Sequence, residues 1–219
     1  MEFANDPRPL MVEVAHLLYD RYLTNSAGGN ISCRVGDHVF VSPRYLGSKY
    51  RWRLTEEMVV VLDREGQALA GDARSISRES KMHFACYHTF PEINGVVHCH
   101  PRYLSVFAAA GRPLVPTNEY TEKFGTVEVV PPLPSHSQAL ADHVVAALRP
   151  RQEQLKKHGL GLILAWHGMV TVGRDLADAY DTLERLEWSA HTLLISSLLP
   201  DLETLPFGAP ATAAQGERR

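Results

Sequence analysis

Cysteine is scarce in this chain. Cys33, Cys86 and Cys99 are odd in number and show no Cys-x-x-Cys spacing, which excludes a disulfide framework and a thiolate zinc knuckle and leaves small buried fillers as the expectation. No apolar run approaches the roughly 18 residues that cross a bilayer. The opening MEFANDPRPL lacks a basic segment followed by an apolar one, so no signal peptide or membrane association is expected and the cytoplasm is the expected location. An excess of one charge is missing as well. With 22 Lys and Arg against 25 Asp and Glu, the formal net charge is −3, and no basic field exists to hold a nucleic acid. Internal repeats, low-complexity blocks and Pro/Gly/Ser-rich linkers are also absent, so the expectation is one domain over residues 1–200. The small polar residues of 201–219 bury little and read as a flexible tail.

What is present alternates between two periods. VEVAHLLYDRYL places Val12, Ala15, Leu18 and Tyr22 at helical spacing, and NSAGGN stops that helix. ISCRV and HVFVS flank Gly36-Asp37 as a hairpin, and MVVVLD is β-branched enough for a buried strand. Ser77 suits the cap of a helix whose Met82, Ala85, Cys86 and Phe90 share one face and which Pro91 ends. Beyond it the pattern predicts the strand NGVVHCH, a short helix in YLSVFAAAG and an extended TVEVV. A helix over 137–148 follows, with Ser135 and Gln138 as a capping box, then the strand LGLILAW, a turn at His167-Gly168, MVTV and a helix over 175–199. Interleaved helices and strands with hairpins point to an α/β/α layered domain with a mixed, largely antiparallel sheet.

The chemistry gathers at strand ends. In VVHCH, strand alternation sends His98 and His100 to one face about 7 Å apart at the backbone, an arrangement that suits a shared metal ion and equally suits two histidines hydrogen-bonded locally. His167 ends another apolar run, and Gly168 beside it permits a sharp turn or a close backbone approach. Three imidazoles with an open position make a catalytic rather than a structural shell. Glu79, in the first turn of the helix leading into the histidine strand, has two readings: a carboxylate favoured by the helix dipole, or a proton carrier beside the ion. His83, four residues on, reads as structural. The NSAGGNIS loop, with Gly28, Gly29 and Asn30, has a composition able to present backbone N–H groups to an anion, and Arg44 and Arg78 offer forks for phosphate or carboxylate.

GGNIS, VSP followed by LTEEMVVVLD, SRESKMH, PEINGVVHCHPRYLSVFA and LILAWHG, in this order, resemble the class II aldolase/adducin family across about residues 10 to 195. That family contains fuculose-phosphate aldolase, ribulose-phosphate 4-epimerase and methylthioribulose-phosphate dehydratase. The resemblance implies a three-layer α/β/α domain, a homotetramer with active sites at subunit interfaces, and a divalent metal held by His98, His100 and His167. Zinc is the commonest choice, with Mn2+, Co2+ or Mg2+ as alternatives. It also implies Glu79 as the acid/base carboxylate, and Tyr120, reaching in from a neighbouring subunit, as a proton donor. A small anionic substrate would meet Gly28, Gly29, Asn30, Arg44, Ser77 and Arg78.

The expected reaction is reversible cleavage of a phosphorylated ketose to dihydroxyacetone phosphate, or a similar fragment, and an aldehyde through a metal-stabilised enediolate. Departures from the family pattern keep other readings open. Arg44-Tyr45 stands where fuculose-type aldolases carry Thr-Gly, and Arg78 replaces a second serine. The alternatives are a metal-dependent decarboxylase of a hydroxylated aromatic or heteroaromatic dicarboxylate, a dehydratase or epimerase of a sugar phosphate, and a non-catalytic module like the adducin head.

Overall fold

The structure, a computed structural model, describes residues 5–199. The expected tail lies outside them. Helix α1 (Arg8–Asp20) buries Met11, Val14, Ala15 and Leu18, the three-and-four spacing of one face. Strands β1 (Asn30–Val35) and β2 (His38–Val41) form the expected antiparallel hairpin, and β3 (Val60–Leu62) joins β2. β4 (Ala68–Ala70) is a short edge strand without alternation, which is why the pattern did not predict it. Helix α2 (Ser80–Thr89) leads into β5 (Gly95–Cys99). Then come α3 (Leu104–Ala110), α4 (Glu119–Glu122), β6 (Val129–Val130), α5 (Gln138–Leu148), β7 (Leu160–Leu164), β8 (Gly168–Gly173) and α6 (Leu176–Ser196).

Two expected caps move. Glu79, not Ser77, is the N-cap of α2, and Ser137 rather than Ser135 caps α5, accepting from the Leu140 N–H at 3.1 Å. The shift at α2 has a physical cause: Ser77 Oγ turns to the Asn30 side chain and the Glu79 N–H, each at 3.3 Å.

The eight strands form one sheet in the order β4-β3-β2-β1-β5-β8-β7-β6, antiparallel except for the β6–β7 pair. Alternation sorts its two faces. Val97 and Cys99 pack with residues of α1, α3 and α6, whereas Val96, Val170 and Val172 pack with α2 and α5. The result is three layers with a core on each side of the sheet, as the pattern predicted. All three cysteines are free and buried. None of the described helices is long and apolar enough to cross a membrane.

The sheet order decides where chemistry can gather. β1, β5 and β8 lie side by side, with Asn30 opposite His98 and His98 opposite Val170. The start of β1, the end of β5 and the start of β8 therefore meet at one end of the sheet.

Candidate metal centre and substrate pocket

His98 lies fully buried on β5, its Nδ1 2.9 Å from the Met169 carbonyl on β8. A carbonyl only accepts, so Nδ1 carries the hydrogen and Nε2 keeps its lone pair. His100 follows one residue beyond the strand. Gly168 lets the backbones meet there, because a Cβ on it would stand 2.6 Å from the Cys99 carbonyl oxygen. His167 occupies the tight turn between β7 and β8, its N–H donating to the Leu164 carbonyl at 3.0 Å.

The three rings converge. Their centroids are 5.2 Å (His98–His100), 4.7 Å (His98–His167) and 5.7 Å (His100–His167) apart, and one donor atom from each lies within 4.8 Å of the others. Tetrahedral coordination with Zn–N bonds of about 2.05 Å needs donors about 3.4 Å apart, a modest tightening. Burial pushes the His100 imidazole down to about 3, helped by His98 and His167, and burial also lowers His98. Both shifts favour the neutral form, the one that ligates. His98 Nε2, His100 Nε2 and His167 Nδ1 are buried without a hydrogen-bond partner. Three converging imidazoles, each with a buried ring nitrogen left without a partner, fit a divalent cation.

Glu79 faces this triad. As the N-cap of α2 it makes no bond to the helix amides with its side chain. Instead Oε2 accepts from Asn30 Nδ2 at 2.9 Å and stands 3.4 Å from His98 Nε2, while Oε1 stands 3.2 Å from His167 Nε2 and 3.7 Å from His136 Nδ1. Burial alone would raise its carboxyl, but the contact with His167 and the fields of His98, His167 and His136 hold it well below the usual carboxylate range. His83, by contrast, is tied into the core, its Nδ1 2.7 Å from Ser32 Oγ, which also meets the Tyr87 hydroxyl at 2.7 Å.

Above the triad opens a cavity of about 570 Å³, a size that suits a small metabolite. Gly28, Gly29, Arg44, Ser77 and Arg78 line it together with Glu79, His100 and His167. Arg44 and Arg78 have no carboxylate partner among the described residues. Asn30 lies beneath the cavity, where it holds Glu79. Gly29 needs to be glycine twice over: its φ is +106°, and a Cβ there would come within 2.8 Å of both the His98 carbonyl oxygen and the Trp52 ring.

Tyr120 is elsewhere. It borders a separate hollow with Asp181, Glu184, Arg185 and Trp188, so any part it plays at the triad would have to come from a second subunit. Two cavity residues escaped the sequence reading. They are Trp166, 83% exposed beside His167, and His136, in the PSHS stretch before α5. The signal for His136 was a histidine directly before a helix cap, on the same connection that carried the misplaced capping box.

Residues 10–194 match the profile described as Class II Aldolase and Adducin N-terminal domain. The chain belongs to the class II aldolase/adducin family. It is 33% identical over 179 residues to an L-fuculose phosphate aldolase of Methanococcus maripaludis strain C7, covering 80% of this chain and 89% of the relative. It is 34% identical over 191 residues to a 3-oxo-tetronate 4-phosphate decarboxylase of Haemophilus influenzae, covering 84% of each. Among solved structures, an L-fuculose 1-phosphate aldolase superposes with a TM-score of 0.76 over 92% of this chain and 93% of that one, at 24% identity, a likeness of fold. The family and the three-layer fold implied by the motifs hold. These relatives carry different activities in their names, aldolase and decarboxylase, each on a phosphorylated substrate.

Proposed function

We propose that the chain is a divalent-metal-dependent lyase that reversibly cleaves a carbon–carbon bond in a small phosphorylated ketose, yielding dihydroxyacetone phosphate or a similar fragment and an aldehyde. The observation that carries this reading is the buried Glu79 carboxylate facing three converging imidazoles, each with one buried unpartnered nitrogen, beside a cavity that Glu79, His100 and His167 line. His98, His100 and His167 would hold the ion, and an all-imidazole shell with an open position suits zinc better than magnesium, which prefers oxygen. When bound, the ion supplies Lewis acidity to a substrate carbonyl.

Everything else falls to side chains and backbone. Glu79, fixed by Asn30, exchanges a proton with the carbon next to that carbonyl. Its lowered pKa keeps it a carboxylate, the form that accepts. The Gly28-Gly29 turn, Ser77, Arg44 and Arg78 grip the anionic end and fix the reacting carbons over Glu79. Assembly as a homotetramer, with Tyr120 presented to a neighbouring site, belongs to the same proposal.

A second reading is decarboxylation of a phosphorylated 3-oxo acid. Two guanidinium groups without a carboxylate partner among the described residues favour it, since they match two anionic ends, and the Haemophilus influenzae relative points the same way. Product analysis separates the readings. Zinc-loaded protein incubated with a panel of ketose phosphates and 3-oxo acid phosphates should release aldehyde and no carbon dioxide. Carbon dioxide without aldehyde would replace the first reading with the second.

A further inference from the structure

His136 has three features that packing does not explain. Its backbone is left-handed, with φ +68°, a conformation that a non-glycine residue adopts at a cost. No cap demands this, because Ser137, the next residue, caps α5 through its own side chain. Its Nδ1 is buried with no hydrogen-bond partner, while over a third of the side chain opens to the cavity. And Nδ1 points at Glu79 Oε1 across 3.7 Å. That gap is too long for a direct hydrogen bond, yet an oxygen about 2.8 Å from each atom fits between them. Apart from His100 and His167 of the triad, the cavity wall carries the Tyr45 ring, which lies under the cations of Arg44 and Lys49, at 4.5 and 4.7 Å from its centroid.

We propose that His136 is a catalytic residue whose Nδ1 contacts the substrate hydroxyl beside the breaking bond and, with Glu79, carries that hydroxyl's proton to the carbon on the other side. The proposal rests on the aldolase reading above. In cleavage, the hydroxyl proton passes to the Nδ1 lone pair, and the O–H electron pair becomes the second bond of the new aldehyde. The pair of the broken carbon–carbon bond stays with the ketone fragment. After the aldehyde leaves, a water entering from the open cavity takes the place of its oxygen and relays the proton from Nδ1 to Glu79 Oε1, which gives it to that carbon, so both side chains end as they began. Condensation runs the same path backwards. Glu79 alone suffices for the half that exchanges the carbon-bound proton, and His136 is needed only when the oxygen must gain or lose one.

Two variants separate the halves. His136→Gly removes the ring at a position whose backbone favours glycine, and His136→Asn keeps left-handed tolerance and hydrogen bonding but cannot carry a proton. In zinc-loaded protein, three quantities are measured beside the wild type: metal content with melting temperature, exchange of the carbon-bound hydrogens of dihydroxyacetone phosphate into D2O by NMR, and condensation or cleavage kinetics. Both variants should keep the metal and melt no lower than wild type, and exchange should stay within about threefold. Cleavage kcat should fall by about 100-fold or more, a size typical of a lost acid–base group, with KM for His136→Asn nearly unchanged. Cleavage within about threefold of wild type in both variants overturns the proposal alone. Joint loss of exchange and cleavage also overturns it, since His136 would then only support Glu79. A wild type that releases carbon dioxide and no aldehyde removes the aldolase reading and this proposal together.

Discussion

Two buried carboxylates in this protein are driven in opposite directions. Glu79 is held far below the carboxylate range, whereas Glu187 on α6 is pushed up to about 7. Burial raises both. What differs is the company: Glu79 looks onto imidazoles, while Glu187, 6% exposed, accepts from the backbone N–H groups of Tyr103 and Leu104 at 2.7 and 2.8 Å. Two neutral donors and the nearby Arg102 do not offset desolvation at Glu187, whereas an array of rings able to bear charge more than offsets it at Glu79. One carboxylate is kept charged beside a cavity. The other ties the start of α3, and with it the segment after His100, to α6.

The contrast can be broken most completely at His98. His98→Ala removes one of the three proposed ligands and one field acting on Glu79. We expect metal content after dialysis to fall from about one ion per chain to near zero and turnover to disappear with it, checked by elemental analysis and product release. Glu79→Gln should keep the metal and lower kcat by about 10²–10⁴-fold; normal turnover in this variant would remove its proton-transfer role. Asn30→Ala takes away the 2.9 Å hydrogen bond to Glu79 Oε2 and should lower kcat by about 10-fold, with metal content unchanged.

Glu187→Gln sharpens the other half. Its folded-state value, about 7, lies above the ordinary 4.5, so the folded chain retains a proton that the unfolded chain releases between those limits. The stability this contributes is full below about pH 4.5 and is lost as pH rises through 7. Buried neutral His83 and His100, both lowered to about 3, slope the other way, their contribution being present above about 6.5 and lost as pH falls towards 3. The wild-type minus variant difference in melting temperature between pH 4.5 and 8 isolates Glu187. It should change with pH, corresponding to up to about 3 kcal/mol. A flat difference would show that this carboxyl titrates normally.

The sequence made the triad's neighbourhood readable because each of its histidines ends an apolar run, and sheet order brings those ends together. The interleaving of helices and strands likewise predicted helices on both faces, and in the structure Val96 and Val97 fall to opposite cores. Glu79 was visible as a residue but misplaced by one structural role: propensity favours Ser77 as the cap, whereas the imidazoles and Asn30 draw the carboxylate away from the helix amides. Other features left no local mark. His136 depends on a left-handed twist at a non-glycine residue, and Glu187 reads as an ordinary charge in a long helix until α3 is packed against it. The difference between Asn30 beneath the cavity and Gly29 on its wall is a matter of strand register, set by β5 rather than by the loop itself.

The pairing of β5 with β8 has a consequence for how the protein matures. Two of the donor histidines are near neighbours in the chain, and the third lies 67 positions later, delivered only when residues 95–99 align with 169–173. An incompletely folded chain can present the first pair but not the full set, so tight ion uptake reports that the middle of the sheet has zipped. A bound ion would in turn resist the separation of those strands, since it would favour the state in which all three histidines meet.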